Sequence, residues 1–140
     1  MSFLSDPTLQ QKFVAALNAN AAFVTQTTVF DGSIQLEVDS DCLWLKIYKG
    51  KVIDHQSTPS AFGYTFKLCG SAAAWKLLLS GERTWADLTY PGKRRFDDDP
   101  ELTRVGEPHC DIRIEGNLVE AGRLTEATFE LAYTLRAVAA

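Results

Sequence analysis

The chain has 140 residues, 46% of them hydrophobic, and a formal net charge of −4. That length and apolar content suit one domain with a real core, needing no disulfide or structural metal, and exclude a disordered chain. The negative balance argues against nucleic acid as a partner, and no apolar run approaches the ~20 residues of a membrane-spanning helix, so no stable membrane insertion is expected.

Asp6-Pro7 opens a helix, with Asp6 as cap and Pro7 in the first helical position, and Leu9, Phe13, Ala16 and Leu17 on its buried face. From about Phe23 the period reads as two, so Thr25, Thr27 and Val29 predict a strand, with Asp31-Gly32 as a hairpin turn. Ile34, Leu36 and Val38 alternate with polar residues in the next strand, and Leu43, Leu45 and Ile47 do so after Asp39-Ser40-Asp41. Lys49-Gly50 turns the chain into a strand from Lys51 to about Gln56. After a Ser-Thr-Pro-Ser loop, Tyr64 to Cys69 forms another. These consecutive hairpins predict an antiparallel meander.

Ser71 then caps a short apolar helix that carries Trp75, Leu77, Leu78 and Leu79 and stops at Gly81. Thr84 starts a further short helix through Trp85, Ala86 and Leu88. From about 91 to 109 the chain is charged and without period, holding Lys93-Arg94-Arg95, Phe96 and Asp97-Asp98-Asp99. Cys110, Ile112 and Ile114 mark a sixth strand, ended by Gly116-Asn117. A final helix follows, with Leu118, Ala121, Thr125, Thr128, Ala132 and Leu135 near one face and Leu124, Phe129 and Leu131 widening it. No internal repeat or linker divides the chain, so residues 1–140 read as one domain.

Two stretches, Leu68-Cys69-Gly70-Ser71 with Trp75, the leucine cluster and Gly81, and Ile112-Arg113-Ile114-Glu115-Gly116-Asn117 with Leu118 and Ala121, resemble the sterol carrier protein 2 family. The resemblance implies an α+β fold: a mostly antiparallel sheet of five or six strands with helices on one face and an apolar cavity between the layers. It implies binding or carrying of a lipid or other apolar molecule, such as a fatty acyl chain or sterol, in an internal tunnel. The lining expected from it is Phe66, Trp75, Leu78, Leu79, Trp85, Leu88, Phe96, Leu124 and Phe129, with Arg94 and Arg95 at the mouth. The charged stretch from 91 to 109 departs from the family pattern as an insertion.

A second reading is a small cavity enzyme, an isomerase, cyclase or hydratase acting on a polyketide, terpenoid or steroid-like substrate. Its acid and base come from His109, Asp111 and Asp97, since His109 and Asp111 share one face of a strand. Neither reading calls for a metal or cofactor, because no histidine or cysteine spacing matches a metal site. The three cysteines, Cys42, Cys69 and Cys110, read as reduced and buried, which with the lack of a leader segment points to cytoplasm. Trp44 and Tyr48, on the nominally wet face of their strand, point to covered surface, under the charged insertion or at an interface with a second copy or a partner enzyme.

Overall fold

The computed structural model describes residues 2–89 and 112–139. A 3-10 turn at Phe3–Ser5 precedes helix α1 (Pro7–Ala19), where Asp6 accepts the Thr8 N–H at 2.9 Å and Pro7 occupies the first turn. Helix α2 (Ala21–Thr27) follows at once, capped by Asn20, whose side-chain oxygen accepts the Phe23 N–H at 3.1 Å. The strand expected here is therefore a helix. Its buried residues, Phe23 and Thr27, are four apart, and Thr27 and Thr28 turn their hydroxyls back onto the Phe23 and Val24 carbonyls at 2.8 Å. A run of β-branched residues favours strands only weakly, and the cap with its buried i,i+4 pair overrides it.

Four of the strands are β1 (Asp31–Val38), β2 (Asp41–Tyr48), β3 (Lys51–Gln56) and β4 (Phe66–Gly70). The fifth, β5 (Ile112–Gly116), completes a sheet of order β3-β2-β1-β4-β5. Asp31-Gly32 begins β1 instead of turning a hairpin. A Cβ on Gly32 would stand 2.4 Å from Thr65 Oγ1, so glycine serves close approach there, not a turn. The pairs β1–β2, β2–β3 and β4–β5 are antiparallel, but β1 and β4 run parallel, with Ile34 opposite Phe66 and Val38 opposite Gly70. The sheet is thus mixed, not a meander. The connection 57–65 makes this possible. It leaves β3 beside α1, where Gln10 Nε2 donates to Ser57 Oγ at 3.0 Å, and crosses the sheet to enter β4 next to β1.

Strand alternation sorts the two faces. Ile34, Leu36, Val38, Leu43, Leu45, Ile47, Phe66, Leu68 and Ile112 join one hydrophobic core with Phe13, Leu17, Phe23 and the later helices. Those helices are α3 (Ala72–Leu79), α4 (Trp85–Thr89), α5 (Leu118–Arg123) and α6 (Thr125–Ala139). The opposite face carries Ser33, Gln35, Glu37, Lys46, Lys67, Arg113 and Glu115. The expected single C-terminal helix is broken at Leu124, whose φ of −103° and ψ of 24° separate α5 from α6. Most of the expected face holds: Ala121, Leu124, Thr128, Leu131, Ala132 and Leu135 are buried, whereas Leu118 and Thr125 are exposed and Ala127 and Thr134 turn inward as well.

Candidate functional site

The layer between α3, α4 and the sheet is built around Trp75. Ser71 Oγ accepts the Ala74 N–H at 3.2 Å and starts α3 at the end of β4, and Gly81, at φ +81°, takes the left-handed position beyond its C-cap. This places Trp75 over the sheet, where its indole N–H donates to the Glu37 carbonyl at 3.0 Å. Phe3 meets the ring edge-on at a centroid distance of 6.5 Å, and Trp85 lies at 6.0 Å on a tilt. Thr84 Oγ1 accepts the Asp87 N–H at 3.2 Å and fixes the start of α4, which turns Trp85 and Leu88 inward.

Of the residues expected to line an apolar site, Phe66, Trp75, Leu78, Trp85, Leu88 and Leu124 come together in this core, with Leu79 and Phe129 partly buried against it. Phe96, Arg94 and Arg95 lie outside the described residues, as do Asp97, His109 and Asp111 of the acid-base reading. Phe3, at a point in the chain where no site residue was expected, also borders Trp75. Its sequence signal is weak: one aromatic before a helix cap.

The outer face has its own electrostatics. Lys67 on β4 reaches Glu37 on β1 at 3.1 Å and Glu115 on β5 at 3.6 Å, tying three strands together. Gln35 Nε2 donates to Glu37 at 2.7 Å, and the Glu37 hydrogen bond holds the Lys67 ammonium above the usual lysine range. Partial burial pulls Glu115 upward, but the Cys69 thiol, Arg113 and Lys67 outweigh it and hold the carboxyl below its ordinary value. Glu37 faces Cys42 on one neighbouring strand and Cys69 on the other. Both thiols are free and buried. Trp44 is covered as expected, but by the chain's own loop: it is 5% exposed, and its indole N–H donates to the Gly63 carbonyl at 2.9 Å. Tyr48 remains exposed, with Lys49 Nζ 5.3 Å from its ring centroid. Among the described residues there is no cluster of histidine, cysteine and carboxylate side chains that could hold a metal ion, and no helix long and apolar enough to cross a membrane.

A five-stranded mixed sheet with helices layered on its apolar face and a tryptophan-centred apolar layer beneath the third and fourth helices defines an α+β fold. The particular fold is that of sterol carrier protein 2. A crystal structure of sterol carrier protein 2 superposes with a TM-score of 0.64 at 17% identity, covering 96% of this chain and 98% of the other. A conserved hypothetical protein of Thermus thermophilus, described as a possible sterol carrier protein, gives 0.59 at 17% identity, covering 99% and 92%. Apo sterol carrier protein 2 from Yarrowia lipolytica gives 0.51 at 12% identity, covering 96% and 94%. No family model matches the sequence, and no curated protein matches it.

Proposed function

We propose that the protein binds and carries an apolar or amphipathic small molecule, a fatty acyl chain, a sterol or a similar compound, between the helices and the inner face of the sheet. The observation that carries this reading is the sterol carrier protein 2 fold, matched end to end on both chains. Phe66, Trp75, Leu78, Leu79, Trp85, Leu88, Leu124 and Phe129 are the side chains a guest would touch. Phe66, Trp75, Leu78 and Leu88 have no exposed surface, so a guest reaches them by parting core contacts. Such parting is repaid by the guest itself, because each methylene taken out of water contributes about 0.8 kcal/mol. The short helices α3 and α4, eight and five residues long, are the elements that shift to admit it while staying on the core.

Native mass spectrometry of the protein purified from its source, with extraction of bound lipid, tests the reading. An acyl or sterol compound released in stoichiometric amount supports it. Protein that arrives empty and gains no thermal stability from fatty acids or sterols refutes it.

A further inference from the structure

On the sheet face opposite the helices, a groove of about 550 Å3 opens between the loop 57–65 and strands β1 to β3. That volume falls within the ~300–1,000 Å3 typical of small-molecule sites. Trp44 forms part of its lining, with Phe62, Tyr64 and Ile53 around it. Phe62 is 95% exposed, Ile53 59% and Tyr64 39%. Three large apolar side chains left in water around one opening are more than the scattered exposure of an ordinary surface.

The polar groups of the groove narrow what it would hold. The Trp44 indole N–H and the Ser33 hydroxyl are both spent on the Gly63 carbonyl, at 2.9 and 3.3 Å, and the Ser33 N–H is spent on Thr65 Oγ1 at 3.1 Å. These bonds set the lining in place and leave few donors for an anion. Lys46 lines the groove but its ammonium lies 2.7 Å from Asp31. Lys67, 5.3 Å from the Tyr64 ring centroid, is neutralised by Glu37 and Glu115. Asp54 also lines the groove, opposite Lys46 in the β2–β3 register. Its carboxylate accepts the neighbouring His55 N–H at 2.9 Å and makes no ion pair among the described residues, the Lys46 ammonium being held by Asp31. The uncompensated charge is thus a carboxylate beside aromatic rings, and both attract cations.

We propose that this groove is a second binding site, for an organic ammonium ion with an aromatic or alicyclic body. The ammonium sits at Asp54 and the body lies against Phe62, Tyr64 and Ile53. The site is separated by the sheet from the apolar core and does not depend on lipid carrying.

Titration of 15N-labelled protein with benzyltrimethylammonium tests it, with benzyl alcohol and phenylacetate as the neutral and anionic counterparts. The cation is expected to shift the Trp44 indole N–H and the Ser33 and Thr65 amides saturably, and to bind about five-fold or more tightly than either counterpart. Asp54→Asn should weaken the cation by about two- to five-fold while leaving benzyl alcohol unchanged, and Phe62→Ala should weaken all that bind. Both residues are exposed, so these variants fold. Equal affinity for the three compounds, indifference to Asp54→Asn, no saturable shift at millimolar cation, or shifts at the Trp75 and Trp85 indoles in place of Trp44 would each overturn the proposal.

Discussion

Cys42 and Cys69 stand on either side of Glu37, and their chemistry follows from that position. Burial, reinforced by the Glu37 carboxylate, pushes the Cys42 thiol up to about 11 and the Cys69 thiol up to about 12. Only the thiolate attacks a disulfide reagent, so at pH 8 both should react about 100-fold or more slowly than an exposed cysteine. Timed labelling with an aromatic disulfide in a Cys110→Ser background checks this: folded protein should label slowly, and protein in concentrated urea at once. Rapid labelling of the folded form would show that the two thiols are neither buried nor raised. Their burial was readable from the sequence, because an unpaired cysteine in an apolar strand is usually core. Their shared neighbour was not readable, since Glu37 meets Cys69 only through the parallel pairing of β1 with β4.

Element boundaries were legible wherever a side chain closes them. Asp6, Ser71 and Asn117 each cap a helix as their sequence context predicts. The failures share a cause: long-range packing decided them. α2 is helical because Phe23 and Thr27 turn together into the core, and α5 ends where Leu124 must be buried. Glycines show the same division. Gly116 has a φ of +110°, and a Cβ there would stand 2.8 Å from the Thr65 carbonyl and 2.9 Å from Phe66 Cα. Gly122, within α5, has no atom within 4 Å of its missing Cβ. One substitution should therefore have opposite signs at the two sites. Gly116→Ala is expected to destabilise by about 1–3 kcal/mol through backbone strain, with the clash adding to it. Gly122→Ala is expected to stabilise by about 0.4–1 kcal/mol, because alanine has fewer unfolded states to lose. Urea midpoints of the two variants measure both, and a shift in the same direction would contradict the assigned strand-to-helix corner at Gly116.

At the scale of the whole molecule, the layers were legible because strand alternation and helix amphipathicity each point to one apolar face, while strand order and the outer groove were hidden. The path of loop 57–65 created both. It carries the chain across the sheet to set β4 parallel to β1, and it brings Phe62 and Tyr64 to the groove that Trp44 also lines. No local pattern encodes such a crossing. Cohesion between the layers rests on α6, whose Leu131 and Leu135 are fully buried in a core shared with α1, α2, α3 and the sheet. Asn20 adds a polar tie: its amide donates to Glu130 at 3.0 Å and to Thr134 at 3.1 Å while its oxygen caps α2. With one core spanning every layer, no helix can leave without exposing the others' apolar faces, so unfolding should be a single event. Leu131→Ala removes buried methyl groups from the centre and should cost about 2–5 kcal/mol, a large share of the ~5–15 kcal/mol a domain has. In a Trp44→Phe background, which removes the indole of the outer face, tryptophan fluorescence reports Trp75 and Trp85 beneath α3 and α4, whereas far-ultraviolet circular dichroism weighs α1 and α6. With and without Leu131→Ala in that background the two transitions should coincide, with the Leu131→Ala form displaced to lower urea. A fluorescence transition that precedes the loss of helix without Leu131→Ala would mean that α3 and α4 come away from the sheet on their own. The layer would then be a separately opening lid over the core, not an equal partner in it.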